Sequence, residues 1–215
     1  MSSVSKSSEF TREQRAAYRT GAVTRVFDFL CSLLGLIACS PLVGLIALAV
    51  KLDDGGPVFY SQHRVGRNFR LFRLYKFRTM IRGADHHGLL TAPADSRLTR
   101  LGGVLRRYKL DELPQLLNVL KGDMQLVGAR PEVERFVQMF RPQYAIILQD
   151  RPGVTDPASL AYRHEDQILS ADGLEQQYVS EVLPAKLALS LDYQQGRTFL
   201  SDLTILLRTV FRVLE

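Results

Sequence analysis

Asp111 and Glu112 stand side by side in "RLGGVLRRYKLDELPQLLNVLKGDM", behind Arg97, Arg100, Arg106, Arg107 and Lys109 and ahead of Arg130 in "VGARPE". Paired acids among many cations suit a phosphorylated substrate and a divalent metal. Mg²⁺ usually takes one or two carboxylates together with substrate phosphates. Arginine forks grip phosphate oxygens in bidentate fashion. A carboxylate can also attack phosphorus, forming an acyl phosphate. Taken alone, the same two residues read first as an ordinary helix start, with Asp111 as N-cap, Glu112 in the first turn and Pro114 where N–H groups lack intrahelical partners. The local pattern leaves both readings open.

The elements that must position this pair are legible around it. A helix is expected to open at Asp111 and close at Gly122. "RLTRLGGVLRRYKL" before it sets leucines and valine on one helical face and arginines on the other. Further upstream, "VFYSQHRVGRNFRLFRLYKFRTM" predicts two strands joined at "VGRN", and "DDGGP" (residues 53–57) is turn chemistry. Downstream, "PEVERFVQMFRPQYAIIL" predicts an amphipathic helix bent or split at Pro142, and "RPGVTDPAS" a loop. "DGLEQQYVSEVLPAKLALSLDYQQ" is mixed helical, interrupted at Pro184. The final segment lines up Leu200, Leu203, Leu207, Val210 and Leu214, with Arg208 and Arg212 elsewhere. It suits either a core helix or one lying in a membrane interface.

The chain has 215 residues, a net charge of +6 and two cysteines, Cys31 and Cys39. Its pI near 9.5 fits a polyanionic partner, whether nucleic acid, an anionic membrane face or a phosphorylated substrate. Two cysteines inside one apolar run make no disulfide framework. The histidines His63, His86, His87 and His164 lack zinc-binding spacing.

That apolar run carries no charge from Phe29 to Val50, about the length a bilayer-spanning helix needs. Its flanks are both strongly basic: Arg12, Arg15, Arg19 and Arg25 before it, Lys51 and a series of arginines after it. Basic flanks prefer the cytoplasmic side, so a straight span places one of them wrongly. Ser40-Pro41 lies at its centre. Pro41 deprives the Ile37 carbonyl of a donor, and the Ser40 hydroxyl can answer freed backbone groups. A re-entrant hairpin fits both flanks, and a kinked spanning helix is the alternative. The chain therefore reads as a polar leader (1–20), a membrane helix broken at Ser40-Pro41 (21–51) and one further domain (52–215).

At "YKFRTM", "RLGGVLRRYKLDELPQLLNVLKGDMQLVGARPE" and "RPGVTDPASL" the sequence resembles the bacterial sugar transferase family, the monotopic phosphoglycosyl transferases. The likeness runs from about Gly21 to the C-terminus. It implies a mostly α fold with a small β-hairpin: an N-terminal re-entrant membrane helix-break-helix plus a membrane-associated cytoplasmic catalytic domain with interfacial amphipathic helices. It also implies a bacterial inner-membrane location on the cytoplasmic face. By resemblance Asp111 is the nucleophile. It attacks the β-phosphorus of a UDP-sugar, releases UMP and passes the sugar phosphate to polyprenyl (undecaprenyl) phosphate. Glu112 assists with Mg²⁺, for which Asp111 and Glu112 are the implied ligands, or manages the acceptor's proton. Arg106 and Arg130 match the family's phosphate-gripping arginines. Lys76, Arg78 and Arg97 join them as candidates for substrate phosphates.

The implied partners are the UDP-sugar, polyprenyl phosphate and anionic phospholipid headgroups, with no nucleic acid; a homodimer is allowed but not specified. Two departures stand out: Ala129 where the family usually has proline, and Asp156 in "PGVTD" where many members have glycine. The rival reading is a non-catalytic, membrane-anchored basic binding or scaffold protein, which gives Asp111 no role beyond capping. A polytopic transferase is disfavoured because only one segment is long enough to enter a bilayer.

Overall fold

A computed structural model describes residues 21–84, 88, 90–91, 95–170 and 173–214. The leader expected over residues 1–20, and His86 and His87, lie outside the described residues.

The apolar run forms one long helix, α1 (Ala22–Asp54), with Pro41 in its interior. The assigned helix is continuous through Ser40-Pro41, so the two segments expected there form one element. The orphaned carbonyl is answered as the sequence suggested: Ser40 Oγ donates to the Ile37 oxygen at 2.8 Å. The helix ends at Gly55, whose positive φ of 70° fits a left-handed C-cap.

Beyond the turn, β1 (Phe59–Val65) and β2 (Leu71–Phe77) form the expected antiparallel hairpin, Phe59 facing Phe77 and Tyr60 facing Lys76. Next comes α2 (Arg100–Arg107), N-capped by Thr99, whose hydroxyl accepts from the Gly102 N–H at 2.9 Å. Gly102 faces the Thr79 carbonyl so closely that a Cβ there would run into it. This contact seats α2 on the end of β2.

The helix expected from Asp111 to Gly122 is shorter. Lys109 adopts a left-handed φ of 55°, a 3₁₀ turn covers Leu110–Glu112, and α3 runs only over Gln115–Lys121 with Pro114 at its N-cap. Buried Asn118 ties α3 to the hairpin: its Oδ1 accepts from Tyr75 N at 3.0 Å, and its Nδ2 donates to the Arg73 carbonyl at 2.6 Å.

A second sheet was not foreseen. The three-residue strands β3 (Gln125–Val127) and β4 (Gly153–Thr155) pair in parallel, and three residues are too few to show a period-2 pattern. Between them Pro142 splits the expected helix into α4 (Glu134–Met139) and α5 (Arg141–Ile147). The rest is helical: α6 (Pro157–Ala161), α7 (Glu165–Ile168), α8 (Leu174–Gln177), a π-helical turn (Tyr178–Val182), α9 (Leu183–Gly196) and α10 (Phe199–Leu214).

Three apolar clusters hold these elements together. One joins Phe136, Val137, Tyr144, Ile147, Tyr178 and Leu187. The other two involve α1 toward its two ends: Phe27 and Cys31 pack on Val119, Leu126 and Ile205, while Ile46 and Val50 pack with Phe77 and Leu105. Polar ties repeat this. Arg25 donates to the Val119 and Leu120 carbonyls at 2.5 and 2.9 Å, and Asp54 pairs with Arg78 at the other end. Ile37, Ala38, Ser40, Pro41, Leu42, Gly44 and Leu45 between them are exposed. On α10, Leu200, Leu203, Leu207, Val210 and Phe211 are also exposed, so the stripe expected there is not buried in a core. Phe199 meets Phe27 edge-on at 5.1 Å, which joins the two apolar surfaces.

Candidate active site

The 3₁₀ turn makes unlike residues of its two acids. Asp111 is 3% exposed and makes no capping hydrogen bond; its Oδ1 is buried with no hydrogen-bond partner among the described residues, and its Oδ2 lies 4.0 Å from Lys76 Nζ. The N-cap reading is therefore overturned, because Pro114 takes the cap position of α3. Glu112 is fully engaged. Arg130 donates Nη1 to its Oε2 at 2.9 Å and Nη2 to its Oε1, and Lys76 Nζ from β2 reaches Oε1 at 3.2 Å.

The electrostatics diverge accordingly. Burial pushes the Asp111 carboxyl up, against the pull of Lys76, and the neighbouring Glu112 charge adds to the push. Burial also acts upward on Glu112, but Arg130 and Lys76 outweigh it and hold that carboxyl well below the usual range. The two adjacent carboxyls are thus shifted in opposite directions from their ordinary values.

Above the pair opens a cavity of about 560 Å³. Arg64, Lys76, Arg106, Arg107, Lys109, Arg130, Arg163 and Lys186 line it against four acids, Asp111, Glu112, Glu132 and Glu165. Several of these cations are already matched: Arg64 to Glu132 at 2.6 Å, Lys186 to Glu165 at 2.6 Å, Arg130 and Lys76 to Glu112. Arg106 is different. Its Nε donates to Thr79 Oγ1 at 2.9 Å and its Nη1 to Thr91 Oγ1 at 2.6 Å, and it forms no ion pair among the described residues. Its guanidinium is held in place by two neutral hydroxyls.

Of the candidates from sequence, Lys76, Arg106 and Arg130 thus gather around Asp111 and Glu112. Arg78 and Arg97 do not line this cavity. Arg78 pairs with Asp54 and packs against Gly56, facing an adjoining cavity of about 470 Å³. Arg97 organises the preceding loop, donating to both oxygens of Asp95 and to the carbonyls of Ala84, Gly88 and Leu90. Ser40 and Pro41 sit apart, on the exposed middle of α1.

Sequence reasoning passed over Glu132, Tyr178, Glu165 and Lys186. Tyr178, within the π-helical turn, donates to Glu132 Oε2 at 2.7 Å, and Lys186 Nζ lies 5.6 Å from the Tyr178 ring centre. Glu132 directly follows "ARP", a usable signal. The others come from a distant stretch with no chemical signature of its own. Asp156 is accounted for structurally: buried, it accepts from Ser159 N at 2.7 Å to cap α6 and from Ser190 Oγ at 2.7 Å.

The family model described as "Bacterial sugar transferase" matches residues 19–215. The chain belongs to the bacterial sugar transferase family. This transferase is 35% identical over 206 residues to the exopolysaccharide production protein ExoY of Sinorhizobium fredii, covering 88% of this chain and 84% of that protein. It is 38% identical over 190 residues to the "UDP-glucose:undecaprenyl-phosphate glucose-1-phosphate transferase" of Caulobacter vibrioides, covering 86% and 67%. It is 42% identical over 144 residues to the "UDP-N-acetylgalactosamine-undecaprenyl-phosphate N-acetylgalactosaminephosphotransferase" of Aeromonas hydrophila, covering 65% of this chain and 34% of that one.

In this transferase Ala129 precedes Arg130 in a segment tied to β4. Its carbonyl is held by Gly153 N at 2.9 Å, and Arg130 beside it reaches both oxygens of Glu112.

Proposed function

We propose that this chain transfers a sugar 1-phosphate from a UDP-sugar to polyprenyl phosphate through a covalent intermediate on Asp111, as an early membrane step of bacterial glycan assembly. The observation that carries the reading is the unpartnered, buried Oδ1 of Asp111 beside a cavity with excess positive charge. An oxygen with no donor is the one left to act as nucleophile.

Asp111 attacks the β-phosphorus of the donor, and a new carboxylate–phosphorus bond forms. The phosphoanhydride bond breaks, and its electron pair leaves on UMP. The acceptor's phosphate oxygen then attacks the same phosphorus and expels the Asp111 carboxylate, giving polyprenyl-diphosphate sugar. Arg106 is disposed to hold donor phosphate, having no carboxylate of its own. Lys76 sits against both acids and offsets charge as the carboxylate reacts. Glu112 acts by holding Arg130 and Lys76 in place.

Magnesium belongs to the proposal as well. With Oδ1 assigned to attack, Oδ2 of Asp111, 4.0 Å from Lys76 Nζ, is the oxygen that would face an ion bound largely by substrate phosphates, whereas both oxygens of Glu112 are already taken. The ion would supply charge neutralisation on the phosphates.

The re-entrant, cytoplasmic-face reading draws support from α1. A straight spanning helix carries its far end across the bilayer, away from a domain on one side. Here the first and last turns are both tied to the same folded body, and the proline-bearing middle stands exposed. The exposed apolar stripe of α10, with exposed Arg208 and Arg212 on the same helix, suits an interface with anionic headgroups.

A radiolabel assay tests the reaction. Purified protein in detergent is given Mg²⁺, undecaprenyl phosphate and a panel of UDP-sugars, with Asp111→Asn alongside. Lipid-extractable label from one sugar, absent in the variant, is the expected result. Full-rate labelling by Asp111→Asn would sink the covalent mechanism.

A further inference from the structure

Next to the reaction cavity lies a second chamber of about 320 Å³, which the chemistry above leaves unused. The two share a wall: Lys109, Glu112, Arg130, Arg163, Glu165 and Lys186 line both. Away from that wall the second chamber is apolar, built from Leu113, Leu116, Leu126, Val154, Leu160 and Leu206. Helix α10 closes one side with Leu206, Thr209 and Val210. A hydrogen bond of 2.8 Å between Thr209 and Thr155 fixes it to β4. Just outside, Leu207 and Phe211 are 53% and 64% exposed. Within the shared wall Glu112 and Glu165 match Arg130 and Lys186, so its excess positive charge comes from Lys109 and Arg163. The chamber is thus net cationic at one end, apolar along its length and continuous with the exposed stripe of α10.

We propose that this chamber holds the phosphate-proximal isoprene units of the acceptor lipid. The lipid's phosphate rests on the shared cationic wall, and the remaining chain leaves along α10. The assignment rests on the transfer reading above and adds the place of the acceptor. Charge and polarity select this occupant. A nucleotide sugar is polar throughout and gains nothing from leucine and valine walls. A polyprenyl phosphate carries one anionic head on one linear hydrocarbon, which matches the order of wall and floor. The volume lies at the low end of the ~300–1,000 Å³ typical of ligand pockets, which suits part of a narrow chain rather than two acyl chains. The shared wall also brings the acceptor's oxygen to the phosphorus carried on Asp111.

Leu206→Trp and Val154→Trp fill the chamber from α10 and from β4. Each variant, shown to be folded, is assayed for the UMP burst from UDP-sugar alone. Its KM is then measured for undecaprenyl phosphate and for the short-chain farnesyl phosphate. The expected result is a native burst with both acceptor KM values raised about tenfold or more. A native KM for both acceptors overturns the assignment. So does loss of the burst in both variants, since that gives the chamber to the donor.

A farnesyl phosphate bearing a photoactivatable diazirine on its first isoprene unit gives a readout independent of turnover. Cross-links within residues 154–160 and 206–210 are expected, and cross-links only elsewhere overturn the proposal. If the native chain gives no burst with any donor, the transfer reading has failed, and the cross-link still decides what the chamber binds.

Discussion

Arg130 donates to both carboxylate oxygens of Glu112, while Asp111, one residue earlier, keeps an oxygen with no hydrogen-bond partner among the described residues. Under the proposed mechanism Glu112 orders its neighbours and Asp111 reacts.

Asp111→Asn should abolish UMP release, with a loss of roughly a thousandfold or more. The same variant should melt at a higher temperature at neutral pH. The folded-state pKa of Asp111 lies above its ordinary 3.8, so the native state holds this proton more tightly than the unfolded chain. That penalty on the ionised fold is complete above the folded pKa and absent below 3.8. Thermal melts of the two proteins should therefore converge as pH falls. For the native enzyme, activity should drop on the acid side as Asp111 takes up its proton.

Glu112→Gln should behave in the opposite sense. It strands Arg130 and Lys76 in a buried site, at a cost of about 3 kcal/mol. The folded pKa of Glu112 is depressed below 4.5, so its contribution is complete above that value and is lost as pH falls through the folded pKa. Urea unfolding at neutral pH should show the full deficit, shrinking at lower pH.

Arg106→Ala should leave stability within about 1 kcal/mol, because no buried carboxylate is orphaned. Its effect should fall on the donor, with KM for UDP-sugar raised about tenfold or more. Arg106→Lys should not restore it, since an ammonium cannot hold Thr79, Thr91 and a phosphate with the same planar fork.

Gly102→Ala tests the seat of α2. The added methyl meets the Thr79 carbonyl, so backbone must shift, at a cost of about 1–3 kcal/mol. Thr79 also accepts from Arg106, so donor KM should rise with the loss of stability. Chemical denaturation and steady-state kinetics on one preparation check both.

The topology of α1 can be checked directly. In a background lacking Cys31 and Cys39, cysteines at Val23 and Leu52, each 76% exposed, should react with an impermeant maleimide from the same side of oriented vesicles. Labelling from opposite sides would mean a spanning helix.

Much of this was legible in the sequence. Hairpin, split helix and apolar segment follow from period, proline and glycine, and the answer of Ser40 to the Ile37 carbonyl follows from the chemistry of proline. The acid pair was visible, but its local structure was not. Propensity favours a plain helix start at Asp111, and a left-handed Lys109 is a strained choice that nothing local announces. Arg78 and Arg97 show what a count of cations leaves open. Each pairs with a carboxylate, Asp54 and Asp95 respectively, that no sequence pattern announces. Glu165, Tyr178 and Lys186 reach the site only through tertiary packing, and sequence separation hides that entirely.

The double attachment of α1 has a mechanical consequence. An enzyme hung from a single spanning helix can bob and tilt as the bilayer thins or thickens. A helix moored at Arg25 and again at Asp54 gives up that freedom. Under the proposed re-entrant placement, the depth of Asp111 relative to the lipid headgroups would be a fixed dimension of the protein, set by its own side chains rather than by the thickness of the membrane around it.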